Sequence, residues 1–185
     1  MPAPISYASA ESSFKDDAAT NTNVAPGVLD VPLLDRQGQI HRLADFQGKK
    51  HVALFFMRGM TKEPGGVCPT CSAQTARLTA NHGEFTKRGA EVVVVFPGTQ
   101  DQAAQFIDKV QAEAKSQSMP FSVLVDVDFK AVERLGIRAD AAKPATFILD
   151  KEGQVRFAYV GATTSDRPSL AAILKQLDAL VPAKQ

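Results

Sequence analysis

The sequence predicts an α/β fold in which a mixed β-sheet is covered by helices. Three continuous apolar runs, "HVALFFM" (51–57), "EVVVVF" (91–96) and "FSVLVD" (121–126), are typical of strands buried on both faces. Amphipathic patterns of helical period separate them, and this alternation is typical of parallel strands joined by helical crossovers. The 185 residues, 44% of them apolar, fit one globular domain.

The other elements follow from turn and cap signals. "VPLLDRQGQIHRL" (31–43) predicts an N-terminal β-hairpin, and 145–161 predicts a second hairpin around a turn at 151–153. Residues 72–89 predict one helix that ends at a glycine, and Thr99 with Gln102 forms a capping box for the next. A short helix ends at 136, and the last helix is expected to begin near 166–168. The inward faces of these four helices are expected to carry Leu78, His82 and Phe85; Ala103, Phe106, Ile107, Val110 and Ala114; Phe129, Val132 and Leu135; and Leu170, Ile173, Leu174, Leu177 and Leu180.

Residues 1–23 have too few large apolar side chains to form a core, so we interpret them as a flexible N-terminal extension, or one that lies on the surface, and 24–185 as the domain. The formal net charge is +1, and no basic run is interleaved with aromatic residues, which argues against a nucleic-acid partner. No secretory signal or transmembrane run is recognised, so a cytoplasmic location without a membrane partner is expected.

The two cysteines, Cys68 and Cys71, are the principal candidates for chemistry. They follow a Gly/Pro-rich loop after the first buried strand, and Pro69 suits the first position of a helix. Backbone N–H groups of Thr70 and Cys71 are expected to point at the Cys68 sulfur and to lower its pKa. This predicts Cys68 as the nucleophile and Cys71 as the resolving thiol. The alternatives are a zinc clip, which lacks two further ligands, and two inert packed thiols. We expect no metal and no cofactor.

Four stretches carry a family resemblance: residues 24–59, "VCPTC" (67–71), 120–137 and 143–161. They resemble the alkyl hydroperoxide reductase and thiol-specific antioxidant family of the thioredoxin superfamily. The resemblance implies that 24–185 forms a thioredoxin-like redoxin domain, with a central mixed sheet flanked by helices.

Two chemistries are known in that superfamily, and the chain departs from one of them. At "VCPT" (67–70) the resemblance to peroxiredoxins implies that Cys68 is the peroxidatic cysteine. Peroxiredoxins typically place Thr or Ser three residues before that cysteine and Pro seven before it, where this chain has Gly65 and Thr61. They also place an arginine where this chain has Pro144. The resemblance to thioredoxins instead implies that Pro144 is a cis-proline that shapes a substrate groove, with Pro69 and Thr70 beside it.

The loop "TKEPGG" (61–66) is expected to lie beside Cys68. There Arg58 and Lys62 are candidates for lowering the thiol pKa, and Thr61 for supplying a hydroxyl; a mobile, solvated loop is the alternative.

The sequence thus favours a thiol-disulfide oxidoreductase that needs a disulfide substrate and a recycling thiol reductant. The alternatives are a thiol-dependent peroxidase acting on hydrogen peroxide or alkyl hydroperoxides, and a redox-inert or redox-sensing binding module. The oligomeric state stays open.

Overall fold

The structure is a computed structural model that describes residues 14–25, 27, 30–62 and 66–181. Its strands are β1 (Leu33–Leu34), β2 (Ile40–His41), β3 (His51–Phe56), β4 (Ala90–Pro97), β5 (Ser122–Asp126), β6 (Ala145–Leu149) and β7 (Val155–Val160). Its helices are a 3-10 turn (Leu43–Phe46), α1 (Pro69–Ala80), α2 (His82–Lys87), α3 (Gln100–Ala114), α4 (Lys130–Arg134) and α5 (Leu170–Asp178).

One mixed sheet, in the order β2-β1-β5-β4-β3-β6-β7, runs through the middle of the domain. Strands β3, β4 and β5 are parallel neighbours, whereas β6 pairs antiparallel with β3 and β7 antiparallel with β6. Every residue of β3 and β6 is buried, as a strand covered on both faces requires. The predicted fold class, with its N-terminal hairpin, is therefore confirmed.

Two apolar layers cover the sheet. One layer contains Leu78 of α1, Phe106 of α3 and Ile173 of α5, together with both cysteines. The other contains Val132 of α4 and Leu43 of the 3-10 turn. The cysteine pair therefore lies in the core layer to which the three longest helices contribute, near the C-terminal end of β3.

Local capping explains where the helices begin. Thr99 accepts a hydrogen bond from Gln102 N, and the Gln102 side chain accepts one from Thr99 N, so the predicted capping box is present. The helix predicted over 72–89 is instead two helices, which meet at Asn81. The last helix begins later than expected, since Ser169 is its N-cap.

Part of the flexible or surface extension expected for 1–23 packs against the domain. Within 14–23, Asn21 N donates to Ala158 O of β7 at 3.0 Å, and the Asn21 side chain both donates to and accepts from the Val160 main chain. Ala18 is buried in the same layer as the cysteines. Composition does not predict this packing, because backbone pairing to a sheet edge needs few large apolar side chains. Residues 1–13 of the expected extension lie outside the described part.

Candidate active site

Strand β3 and helix α1 together place the two cysteines. After β3, Met57 N still donates to Val95 O, and a bridge between Met60 and Val67 closes the following loop. Cys68 is the N-cap of α1, and Pro69 occupies its first turn, as predicted. Cys71 follows one turn into the helix, so both thiols face the same buried layer.

Cys68 is the less protected of the two thiols, although only 2% of the residue is exposed. Its Sγ accepts a hydrogen bond from Cys71 N at 3.4 Å. The hydrogen bond between the two thiols raises the pKa of Cys68, and burial raises it further. Both effects favour the thiol form of Cys68.

Cys71 is fully buried, and the groups that favour an ionised sulfur gather there. Arg167 Nη2 donates to Cys71 Sγ at 3.2 Å, and Arg58 N donates to it at 3.4 Å. Burial alone would raise the pKa of Cys71, but the hydrogen bond from Cys68, the Arg167 charge and the Arg58 N–H outweigh it and lower that pKa to about 6. Of the two thiols, Cys71 is therefore the one whose surroundings favour the thiolate near neutral pH.

Arg167 itself is held rigidly, with only 2% of the residue exposed. Its Nη1 donates to Gln74 Oε1, and its Nε donates to the Thr164 carbonyl at 2.8 Å. Gln74 lies three residues beyond Cys71 in α1, on the same helix face, so α1 supplies both the sulfur and an acceptor for the same guanidinium. A buried cation with these partners acts as a fixed positive charge against the sulfur.

The expected order of acidity is thus reversed. The lower pKa was expected at Cys68 because of the helix N-terminus, whose electrostatic effect is typically about 0.3–1 kcal/mol. In the structure, Cys71 N donates to Cys68 Sγ as expected, but no such hydrogen bond from Thr70 occurs among the described residues. A guanidinium in contact with a fully buried sulfur is the stronger influence, and it acts on Cys71.

Arg167 and Gln74 are the site residues that sequence reasoning missed. Arg167 lies 96 positions from Cys71, in a segment interpreted as the beginning of the last helix. No spacing rule links the two, because the contact depends on how the loop between β7 and α5 folds back onto α1.

The structure corrects the expectation for Pro144. No cis peptide bond occurs among the described residues, so the peptide before Pro144 is trans and the cis-proline expectation is wrong. Pro144 is nevertheless buried beside the loop that leads to Arg167, and its carbonyl accepts from Gly161 N at 2.8 Å. Its role in positioning a substrate stays a prediction.

The loop residues divide into one that reaches the pair and two that do not. Arg58 acts through its backbone N–H on Cys71 rather than through its side chain on Cys68. The Thr61 Oγ1 atom is buried and has no hydrogen-bond partner in the described part, while Thr61 N donates to Gly66 O. Lys62 is exposed, and within the described residues it donates no hydrogen bond to either sulfur. Gly65 lies outside the described residues.

Neither a metal-binding cluster nor a membrane-spanning helix occurs within residues 14–25, 27, 30–62 and 66–181. No group of three or more His, Cys, Asp or Glu side chains is arranged there to hold a metal ion. None of the helices in this part is long and apolar enough to cross a bilayer.

Comparison with known proteins gives consistent similarities. A model of the AhpC/TSA family matches residues 22–158. A chloroplastic peroxiredoxin Q of Populus jackii is 29% identical over 152 residues, covering 80% of this chain and 65% of that protein. The peroxiredoxin Bcp of Bacillus subtilis is 26% identical over 135 residues, covering 68% of this chain and 77% of that protein. The chain thus spans slightly less than two thirds of the Populus relative.

Solved structures of low sequence identity share the fold. The peroxidoxin BcpB of Mycobacterium tuberculosis superposes with a TM-score of 0.65 at 20% identity, covering 88% of this chain and 98% of that one. A mutant of peroxiredoxin 6 of Arenicola marina superposes with a TM-score of 0.69 at 15% identity, covering 85% of this chain and 74% of that one.

Proposed function

The chain belongs to the AhpC/TSA family, and on that premise we propose that it is a thiol-dependent peroxidase whose reactive sulfur is Cys71. The observation that carries the proposal is the contact of the buried Arg167 guanidinium with the Cys71 sulfur at 3.2 Å. The peroxiredoxin names of its relatives support the same activity. The proposal differs from the disulfide exchange that the sequence favours.

The reaction begins with attack by the Cys71 thiolate on one oxygen of a hydroperoxide. The S–O bond forms as the O–O bond breaks, so the sulfur is oxidised to a sulfenic acid and the peroxide is reduced to an alcohol or water once a proton is taken up. Arg167 stabilises the thiolate and lies where negative charge moves from sulfur to the departing oxygen. The sequence lacks the family arginine at Pro144, and we propose that Arg167 supplies that charge from a different loop.

Cys68 is suited to resolve the sulfenic acid. It lies three residues from Cys71, on the same first turn of α1, and is held as a thiol. Its sulfur attacks the oxidised sulfur, the S–S bond forms and water leaves, which protects Cys71 from further oxidation. A recycling thiol reductant must then reduce the disulfide, so a reducing compartment such as the cytoplasm is part of the proposal.

Stopped-flow oxidation by hydrogen peroxide tests the assignment with three proteins: the reduced wild type, Cys68→Ser and Cys71→Ser. We expect the wild type and Cys68→Ser to react orders of magnitude faster than a simple thiol matched for thiolate fraction, with a trappable sulfenic acid in Cys68→Ser. Cys71→Ser is expected to react no faster than the matched thiol. A fast Cys71→Ser with a slow Cys68→Ser would instead make Cys68 the peroxide-reactive sulfur, as the sequence indicated.

Disulfide exchange initiated by Cys68 is the second candidate. The observation that favours it is the position of Cys68 at the N-cap of α1, where 2% of the residue is exposed and none of Cys71 is. It predicts that the reduced protein reacts with a small disulfide faster than with peroxide, and that Cys71→Ser traps a mixed disulfide on Cys68. Measuring both oxidants on the same preparation separates the two functions.

A further inference from the structure

The N-terminal segment, residues 14–21, is packed against the elements that carry the site. Asn21 pairs with the outer edge of β7, and Ala18, 8% exposed, packs in the core layer that contains both cysteines. The segment therefore runs from the sheet edge toward the beginning of α5, which is where Arg167 lies.

Lys15 meets the backbone on both sides of Pro168. Lys15 N donates to the Arg167 carbonyl at 2.8 Å, and Ser169 N donates to the Lys15 carbonyl at 2.9 Å. This short parallel bridge fixes the main chain at Arg167 itself. The backbone that carries the guanidinium is thus clamped by a residue far away in sequence.

The Lys15 side chain adds a second attachment to the same loop. Its Nζ lies 2.9 Å from Asp166 Oδ1 and donates to Tyr159 Oη at 2.8 Å, while Tyr159 Oη donates to Asp166 Oδ1 at 2.6 Å. Asp166 Oδ2 accepts from Ala162 N at 2.8 Å. Burial would raise the pKa of Asp166, but the hydrogen bonds from Lys15 and Tyr159 outweigh it and lower that pKa to about 2, so the ion pair is present at neutral pH.

The loop has little freedom at its other end. Gly161, at the end of β7, lies so close to the Asp166 carbonyl that a Cβ there would overlap it, and the same Cβ would lie 2.9 Å from Pro144 Cγ. Residues 162–166 are therefore folded tightly between Gly161 and the Lys15 bridge.

We propose that Lys15 is a positioning residue: through Asp166, Tyr159 and its main-chain bridge it holds the Arg167 guanidinium against the Cys71 sulfur. The N-terminal segment is then a working part of the site, and releasing it weakens the contact that keeps Cys71 ionised. The inference rests on the proposed function for its catalytic meaning, but it is tested by the ionisation of Cys71 alone.

The experiment measures the thiolate of Cys71 against pH by its ultraviolet absorbance, in a Cys68→Ser background so that one thiol reports. An adjacent opposite charge shifts a pKa by roughly 1–3 units. Lys15→Met displaces the Arg167 charge without removing it, so we expect the midpoint to rise by about 1 pH unit, the lower end of that range. Removal of residues 1–17, which also deletes the main-chain bridge, is expected to raise it further. Lys130→Met is the matched control, since Lys130 forms an exposed ion pair with Asp128 elsewhere on the surface.

Combining Lys15→Met with Arg167→Met separates an effect of Lys15 through Arg167 from a direct effect of the Lys15 charge on Cys71. If Lys15 acts through Arg167, Lys15→Met shifts the midpoint in the parent and not in the Arg167→Met protein. Equal shifts in both backgrounds, or an unchanged midpoint in folded Lys15→Met, overturn the inference. This experiment uses no peroxide. A failed peroxidase assay would therefore contradict the proposed function without changing what the Cys71 midpoint shows about Lys15.

Discussion

Replacing Arg167 by methionine removes the charge at Cys71 while keeping a long side chain in the buried space. The lowering of the Cys71 pKa from 9.0 to about 6 corresponds to about 4 kcal/mol, at about 1.36 kcal/mol for each pKa unit. Arg167 shares that effect with the Arg58 N–H and Cys68, so we assign about 2 units to it, within the range for an adjacent opposite charge. The thiolate fraction at pH 7 then falls roughly tenfold, from about 90% to about 10%.

The rate with peroxide should fall further than the thiolate fraction. Loss of a preorganised donor at developing negative charge typically costs a factor of about 10²–10³ in rate, so we expect Arg167→Met to slow oxidation by about 10³–10⁴ at pH 7. Stopped-flow rates across pH separate the two contributions, because the loss caused by protonation of Cys71 is recovered at high pH and the loss of the donor is not.

Controls make this prediction refutable. Arg167→Lys keeps a positive charge but not the planar guanidinium with its several donors, and we expect it to retain part of the lowering of the Cys71 pKa. Arg156→Met removes an exposed arginine paired with Asp150 and should leave the rate unchanged. The Arg167→Met variant also leaves Gln74 without its donor, so folding is checked by circular dichroism. A folded Arg167→Met protein with an unchanged Cys71 midpoint would refute the assignment of Arg167 as the activating charge.

Three further predictions rest on the same contacts. Gly161→Ala should displace the loop at Asp166 and slow oxidation of Cys71 at pH 7. Gly83→Ala is the control, since a Cβ at this position of α2 meets no other atoms, and equal oxidation rates in the two variants would contradict the tight packing of the loop. Gln74→Leu should raise the pH midpoint of Cys71 ionisation by less than Arg167→Met does, because it removes a partner of the guanidinium without removing the charge. Thiolate absorbance measures the midpoint, and a shift as large as that of Arg167→Met would contradict this role of Gln74. The folded pKa of Cys71 lies below its unfolded value, so its contribution to stability is complete above the unfolded pKa near 9.0 and is lost as pH falls through about 6. Urea unfolding of the reduced protein should therefore show a stability advantage over Cys71→Ser that grows from pH 6 to 8. A constant difference would contradict the ionisation assigned to Cys71.

Much of the framework follows from local patterns. The runs at 51–57, 91–96 and 121–126 form buried strands, and the capping box at Thr99 forms because both partners lie within one turn. Where the prediction differed, longer-range contacts decided the outcome. The segment at 14–21 packs through backbone pairing with β7, which leaves little trace in composition.

By itself, the sequence determined the sheet, the position of Cys68 and Cys71 at the beginning of a helix, and the family resemblance. These depend on residues close together along the chain. The tertiary structure decided which sulfur lies against a buried positive charge. That choice depends on burial and on a guanidinium brought from 96 positions away, and the electrostatic effect of a buried charge follows distance in space rather than spacing along the chain.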